Sequence, residues 1–379
     1  MKKWKFLGYV YLFILLTGCK ERFEPNLPAL KQNYLVVEGI INANGLTKIK
    51  LSRSVPLDQK NKFIPELNAT MRIEGEANAV VFFVPHTGGG LYSSATLLNP
   101  VDKYRLRINT ADGKEYLSKF VPVKLTPDID SISWKEENGG VQLYANTHDP
   151  KNSTLYYRWD FDETWEIRSA YSANYKFDNN TIRATLPTDP QIYYCWKYAS
   201  SNSIILGSSA KLESDKIFLQ PLHFLARNEE RLGIRYSILV RQYALDKEGY
   251  GFFEQMKKNT ESLGTIFDPQ PSALRGNITC ITNPEDIVIG YVNAAAIKEQ
   301  RIFINSFQLS GRGFSINGGT ICNSFAVLND PDSIKRYIPP GWPYDAIQRG
   351  ANITFYLTAP SLCVDCRERG GINVKPSYW

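Results

Sequence analysis

The sequence predicts a mainly β protein, with an N-terminal immunoglobulin-like β-sandwich followed by a larger β-rich domain of fibronectin or immunoglobulin type with one helix. The chain holds 22 Tyr, 19 Phe and 7 Trp against 3 Met, and aromatic residues favour strands. Its 26 Gly and 21 Pro supply frequent turn signals. Between these signals, short apolar or alternating segments recur, which is typical of β-sandwich domains.

The first residues have the features of an export signal. Three lysines within the first five residues precede an apolar run, residues 6–16, that is too short to span a bilayer. The run ends at Leu16-Thr17-Gly18-Cys19, which resembles the lipobox of bacterial lipoproteins. We therefore expect residues 1–18 to be a cleaved lipoprotein signal peptide and Cys19 to carry lipid. The alternative is an ordinary signal peptide with a chance cysteine.

Residues 19–33 are polar and contain two prolines, which predicts a flexible tether. Lys20-Glu21-Arg22 and the nearby Glu24 loosely resemble the acidic export signal of surface-exposed lipoproteins in Bacteroidota. The expected location is the outer membrane, lipid-anchored and facing the cell exterior, with the periplasmic face as the alternative. The net charge of +6 falls to +3 without the three signal lysines. That small balance argues against a nucleic-acid partner.

Residues 34–127 are predicted to form the N-terminal sandwich. Residues 34–41 are apolar enough for a buried strand, Asn44-Gly45 supplies a hairpin turn, and residues 47–52 alternate cleanly. About seven strands are expected at this spacing. The series ends near Thr126-Pro127.

Residues 128–379 are predicted to form the second, larger β-rich domain, which ends in a disulfide-anchored tail. Residues 249–263 predict its one helix, whose apolar stripe is expected to pack on a sheet. Residues 308–345 are rich in Gly, Asn and Pro and predict a long loop region, a common location for binding. The apolar stripe of the helix comprises Phe252, Phe253, Met256 and Leu263.

The cysteines predict disulfides. Once Cys19 carries lipid, five cysteines remain, so at most two disulfides and one free thiol form within the chain, unless one cysteine pairs with another chain. Disulfides are the default in the oxidising compartment that the signal implies. The spacing leaves the pairing open. The candidates are Cys195, Cys280, Cys322, Cys363 and Cys366.

Residues 159–166 (WDFDETWE) carry the most distinctive local pattern. On a strand, Asp160, Asp162 and Glu166 share one face and the aromatic residues share the other. Three carboxylates could hold Ca²⁺ or serve acid–base chemistry. The preferred interpretation is a solvated face, with Glu163 at the edge of the aromatic face, because one strand supplies too few converging oxygens.

No metal, catalytic or cofactor site is therefore assigned, and the ligand-binding residues stay unknown. The three histidines, His86, His148 and His223, lie far apart without ligand-type partners at close spacing. A zinc site or a histidine-based triad is poorly supported, and structural or surface roles are expected for them.

Five stretches of the chain form a familiar combination. They are Leu16 to Cys19, residues 159–166, Tyr194-Cys195-Trp196, Ile289-Gly290-Tyr291-Val292 and the tail CVDCRERGGINVKPSYW. Together they resemble the Bacteroidota lipoproteins catalogued as domain of unknown function 4249 (DUF4249), over residues 34–379. The resemblance implies an outer-membrane lipoprotein with an N-terminal β-sandwich, usually encoded near TonB-dependent transporters. It implies no catalytic residue.

These observations favour a non-enzymatic accessory lipoprotein of a TonB-dependent outer-membrane transporter, acting in nutrient capture or complex assembly. The alternative is a free-standing surface lipoprotein that binds a glycan or peptide. Trp342 with neighbouring tyrosines on an open platform would favour that alternative. An enzyme that uses Asp160 and Asp162 is the third hypothesis.

Overall fold

The computed structural model describes residues 33–55, 62–77, 80–179, 181–261, 274–310, 321–338 and 341–379. The predicted signal peptide, Cys19 and the tether up to residue 32 lie outside the described residues. The described chain is mainly β, as the sequence predicts. Within these ranges, no helix combines the length and the apolar character needed to cross a membrane.

The secondary-structure elements have the following bounds. Strands β1 to β10 are Leu35–Asn42, Asn44–Arg53, Ile64–Pro65, Thr70–Gly75, Val81–Phe83, His86–Gly88, Leu91–Leu97, Lys103–Asn109, Glu115–Ser118 and Val121–Leu125. Strands β11 to β19 are Ile129–Glu137, Gly140–His148, Tyr156–Arg168, Tyr175–Asp178, Thr181–Ala184, Tyr194–Ser200, Ile205–Ser208, Lys216–Ala226 and Arg235–Ala244. Strands β20 to β26 are Ile278–Cys280, Val288–Ile289, Ala294–Ala296, Lys298–Asn305, Phe325–Leu328, Gly341–Arg349 and Asn352–Pro360. Helices α1 to α3 are Lys247–Glu261, Pro331–Tyr337 and Ser361–Val364.

The first sandwich is one continuous 13-stranded sheet, in which β10 and β22 connect the strands around β1, β2 and β7 to those around β4, β8 and β9. Alternation along β2 buries Ile49 and Leu51 and leaves Lys48 and Lys50 exposed on the opposite face, as predicted. The buried residues share one core with Leu106 of β8. Each such side chain stabilises the fold by about 1.5–3 kcal/mol relative to exposure.

Three late strands complete this first sandwich. Strand β22 runs parallel to both β1 and β10, so that Ala294 lies beside Ile41 on one side and Val123 on the other. Strand β20 pairs with β9, and β21 pairs with β1. The sequence placed these segments in the second domain, whereas their strands join the first sheet. Spacing shows where strands lie, but contacts between distant segments decide which sheet they join.

The second sandwich packs the sheet β11–β12–β18 against the sheet β16–β13–β19–β23, with β17 also paired to β13. Their shared core contains Trp159, which is fully buried. Its indole Nε1 donates a hydrogen bond of 2.9 Å to Gln242 Oε1 on β19. The Trp159 indole nitrogen is therefore buried with its N–H group paired.

Helix α1 is the helix that the sequence predicted. It buries Phe252 and Phe253, with Met256 partly buried, against Tyr291 and the end of the second sandwich. Leu263, the last residue of the predicted stripe, lies outside the described residues.

The region predicted as a long loop contains regular structure. Strands β24, β26 and β25 form a small sheet, and the hairpin of β14 and β15 packs beside it. Helix α2 begins after Asp330, whose side chain accepts a hydrogen bond of 2.9 Å from the Ser333 N–H. An Asp before Pro331 is a signal for the start of a helix. The signal was overlooked because the surrounding region contains many turn-forming residues.

Two disulfides form and hold the tail, as predicted. Cys195 of β16 bonds Cys366, and Cys322 bonds Cys363, while Cys280 is a buried free thiol.

Beyond Cys366, the tail adds to the edge of β16. Trp196 and Ile372 exchange two backbone hydrogen bonds of 2.9 Å. The Trp379 ring packs edge-on against Phe303 and lies 5.1 Å from the Arg235 guanidinium. The tail therefore covers part of the outer face of the second sandwich.

Asp149 closes the turn after β12 and makes the protein sensitive to acid. Its carboxylate accepts hydrogen bonds from the N–H groups of Lys151, Ser153 and Thr154, at 2.9 to 3.0 Å, and from the Ser153 hydroxyl. Burial alone would raise its pKa, but these donors lower the pKa of Asp149 from 3.8 to about 2. Because the folded pKa is depressed, the stabilisation is present above pH 3.8 and is lost as pH falls towards 2.

We expect Asp149→Asn to lower stability at pH 7 and to flatten the loss of stability between pH 4 and pH 2. Urea unfolding at several pH values measures both effects. The exposed Glu213→Gln variant serves as the control. An unchanged slope in Asp149→Asn would show that other carboxylates set the acid sensitivity.

Candidate functional site

A cleft lies between the two sandwiches. It consists of two adjoining cavities of about 660 Å³ and about 620 Å³. Strands β1 and β2 form one wall, strands β13 and β19 form the other, and helix α1 closes one end. The residues shared by both cavities are Gly39, Arg158, Asp160 and Arg241. Volumes in this range are typical of ligand sites.

The strand period explains how charged residues reach the cleft wall. Alternation along β13 sends Trp159 and Phe161 into the core and directs Arg158, Asp160 and Asp162 to the opposite face. The sequence predicted this division of faces. Strand pairing then sets Asp160 opposite Arg241 of β19.

Asp160 and Asp162 converge on one arginine. Arg241 Nε lies 2.6 Å from Asp160 Oδ1, and its Nη1 lies 2.6 Å from Asp162 Oδ2. The remaining oxygens are also occupied, because the Tyr243 hydroxyl donates to Asp160 Oδ2 and the Ser200 hydroxyl donates to Asp162 Oδ1, both at 2.7 Å. Such charge-assisted hydrogen bonds fix the whole group as a rigid floor for the cleft.

Electrostatics favour the ionised form of Asp162 and the neutral form of Tyr243. Burial would raise the pKa of Asp162, but the hydrogen bonds from Arg241 and Ser200 and the charge of Lys48 lower it. Burial and the charge of Asp160 raise the pKa of Tyr243, so its hydroxyl stays a donor. At neutral pH the Asp162 carboxylate is therefore held as an ion and is not poised for proton transfer.

Arg158 stands apart from this saturated group. Its guanidinium lies 4.5 Å from the Phe253 ring centroid and 5.7 Å from that of Tyr243. Its nearest carboxylate oxygen, on Asp160, is 4.0 Å away. Among the residues that the structure describes, none accepts a hydrogen bond from Arg158, although its side chain is only 29% exposed. A guanidinium offers five N–H donors, so Arg158 presents unused donors to the cleft.

The two halves of the cleft differ in their apolar side chains. The half next to helix α1, which we call the apolar half, contains Phe252, Phe253, Met256, Ile204 and Tyr291, and the carboxylates of Glu38 and Glu261 also line it. The other half is lined by charged and amide side chains, which include Lys48, Asn42, Asn44, Lys298 and Glu299. Arg158 lies where the two halves meet, because it lines both.

The third carboxylate of the predicted face lies elsewhere. Glu166 pairs with Arg168 at 3.0 Å and lies near the indole nitrogen of Trp379 in the tail. In the part of the chain that the structure describes, no group of three or more His, Cys, Asp or Glu side chains is arranged to hold a metal ion.

The predicted position of Glu163 was wrong, and the partner of His223 was not predicted. Glu163 is not at the edge of the core but inside it, with a side chain that is 3% exposed. Its Oε1 accepts a hydrogen bond of 2.7 Å from the Tyr236 hydroxyl and lies 3.2 Å from His223 Nε2. The contact with His223 joins β13 to β18 of the facing sheet, so a sequence pattern within one strand does not reveal it. The other two histidines, His86 and His148, are exposed.

Trp342 lies in a pocket rather than on an open platform. It is partly buried in a cluster with Tyr171 and Tyr344, whose rings stack at 4.3 Å. Together with Tyr193, it lines a separate cavity of about 330 Å³.

Gly39 shapes the cleft at the point where the two halves meet. Its φ of +139° disfavours other residues, and an added Cβ would clash with the Lys48 carbonyl oxygen and lie 2.9 Å from Ile49 Cδ1. We expect Gly39→Ala to lower the free energy of unfolding by about 2 kcal/mol. Gly113→Ala is the matched control, since Gly113 also has positive φ but open space around it. Equal losses in urea unfolding would assign the whole effect to φ and none to the clash.

Comparisons with known proteins agree with the predicted family. The profile of a family described as "Domain of unknown function (DUF4249)" matches residues 20–301. No curated protein matches the chain. The FN1–FN3 domains of chicken CNTN1 align at 12% identity, covering 56% of this chain and 62% of that one, with a TM-score of 0.17. The chain thus spans less than two thirds of that structure. CBD12 from CALX1.2 aligns at 9% identity, covering 72% of this chain and 100% of that one, with a TM-score of 0.14.

Proposed function

Because the chain belongs to the DUF4249 family, we propose that it is a lipid-anchored outer-membrane protein of a Bacteroidota bacterium, facing the cell exterior. In this proposal it is an accessory subunit of a TonB-dependent transporter, and it captures a nutrient in the cleft between its sandwiches. It acts by binding, without catalysis.

The cleft is the observation that carries this proposal. It joins a charged half to an apolar half, and Arg158 offers hydrogen-bond donors that no described residue uses. A preformed concave site with a few oriented polar groups is what a capture protein needs. The contacts of Asp160 and Asp162 support binding over acid–base chemistry, since Arg241, Tyr243 and Ser200 occupy all four carboxylate oxygens.

The predicted anchor fits this role. The tether from residue 19 to residue 33 reaches at most about 50 Å when extended. A tether of that length keeps the cleft close to the membrane, where a transporter would receive the ligand.

The test is purification of the tagged, lipidated protein from its own outer membrane in mild detergent, followed by mass spectrometry. A stoichiometric TonB-dependent barrel is the expected companion, and intact mass should report acyl chains at Cys19. Cys19→Ser, which cannot carry lipid, is the control for membrane attachment. A protein that elutes alone would overturn a stable transporter complex.

A second candidate is a free-standing surface lipoprotein that binds a glycan or peptide. The separate pocket lined by Trp342 and Tyr193 favours it, since aromatic faces stack on sugars and on apolar side chains. Glycan and peptide arrays test it. Binding that Trp342→Ala removes, by a protein that purifies alone, would replace the transporter proposal.

A further inference from the structure

We propose that the cleft binds the carboxyl-terminal end of a short peptide whose last residue is apolar. This inference names the ligand class of the capture site and rests on the proposed function. Its first support is Arg158, which donates no hydrogen bond to any described residue, whereas Arg241 is paired with Asp160 and Asp162.

The surroundings of Arg158 favour a planar anion. Phe253 and Tyr243 lie close to the guanidinium, at distances typical of cation–π contacts. Such contacts restrict the group and leave its N–H edges free for two parallel hydrogen bonds to a carboxylate. Lys48 on the opposite wall adds a second positive charge to the cavity. A carboxylate bound in this cavity would therefore have a cation on each of the facing walls.

The carboxylate of a peptide fits this position because of what lies on each side. A side chain on the last residue would extend into the apolar half, against Met256 and Ile204. The preceding residues would lie in the other half, where Asn42, Asn44 and Glu299 offer polar partners for peptide N–H and C=O groups. A simple fatty acid would fill the apolar half and leave the polar half without a partner.

Isothermal titration calorimetry on the full lipidated chain in detergent tests this assignment. The probes are alanyl-alanyl-leucine, its carboxyl-terminal amide, alanyl-alanyl-serine and hexanoate. We expect the leucine peptide acid to bind best, and its amide to bind at least about tenfold more weakly, since the amide loses a charge-assisted pair. Tighter binding of hexanoate than of the peptide would overturn the peptide assignment.

Variants then locate the contact. Arg158→Gln should weaken binding of the leucine peptide by at least about tenfold, and the exposed Lys48→Gln by a smaller factor. The matched control is Arg168→Gln, because Arg168 lies on the same face of the same strand and contacts an aromatic ring, but it pairs with Glu166 away from the cleft. Arg168→Gln should bind normally, and circular dichroism should show all three variants folded.

The outcomes separate this inference from the function on which it rests. Equal affinity for acid and amide, or unchanged binding by both Arg158→Gln and Lys48→Gln, would overturn the carboxylate site. Failure of all probes to bind would overturn the ligand class and leave a co-purified barrel standing. Specific peptide binding without a barrel would overturn the transporter role and keep the site.

Discussion

Removing the disulfide between Cys195 and Cys366 is expected to lower the free energy of unfolding by about 5 kcal/mol. The bond joins residues 171 positions apart, so it closes a long loop in the unfolded chain. Both cysteines are fully buried, and the bond fixes the tail beside the edge of β16. The variant to make is the double replacement Cys195→Ala with Cys366→Ala, measured by guanidinium unfolding.

Two other variants show whether loop length is the cause. The bond between Cys322 and Cys363 spans 41 positions, so its removal should cost about 1 kcal/mol less. Cys280→Ser changes a buried thiol without opening a disulfide. If the long-range double variant lost no more stability than Cys280→Ser, the backbone hydrogen bonds and side-chain packing of the tail would suffice to hold it.

Release of the tail gives an independent readout. Trp379 packs on Phe303, and the Tyr378 hydroxyl lies 2.7 Å from the Thr164 Oγ1. With Cys366 detached, we expect the fluorescence of Trp379 to shift to longer wavelength and carboxyl-terminal proteolysis to become faster. An unchanged emission spectrum would show that these contacts suffice to hold the tail.

The sequence predicted features that depend on neighbours along the chain. Alternation in β2 and β13 identified the buried faces, helical spacing identified α1, and cysteine count limited the disulfides to two. Each of these follows from residue spacing within a segment or from simple counting.

Features that depend on distant pairing were not predicted. Asp160 and Asp162 were recognised as one face, but their partner Arg241 lies about eighty positions later, opposite them across a strand pair. Arg158 was recognised as a candidate binding residue only from its position beside Phe253 of helix α1. Arg235 and Arg241 of β19 were a usable signal, because their even spacing places both charges on one face of the strand, where another element must neutralise them.

A second large loss of stability is expected on replacing Glu163, because this residue is a buried charge with several partners. Its Oε1 accepts a hydrogen bond from Tyr236, lies 3.2 Å from His223 Nε2 and lies 3.8 Å from Arg231 Nε. Burial would raise the pKa of Glu163, but His223, Tyr236 and Arg231 together lower it. The carboxylate is therefore ionised in the folded core at neutral pH.

Glu163→Ala is expected to lower the free energy of unfolding by about 3–5 kcal/mol, since it leaves the buried Tyr236 hydroxyl without its acceptor and His223 without its neighbouring carboxylate. Glu163→Gln should cost less, because an amide oxygen still accepts the Tyr236 hydrogen bond. The exposed Glu213→Ala is the control and should change stability by less than about 0.5 kcal/mol. Urea unfolding at pH 7 measures all three variants.

The pH dependence of the folding stability is an independent test of the contacts of Glu163. A carboxylate with a depressed folded pKa adds stability above its ordinary pKa of 4.5, and this stability is lost as pH falls below that value. The wild-type protein should therefore lose more stability between pH 5 and pH 3 than Glu163→Gln, which has no proton to bind at this position. Parallel curves for the two proteins would show that folding leaves the pKa of Glu163 unchanged, and a relative gain in wild-type stability as pH falls would show that Glu163 is protonated in the core.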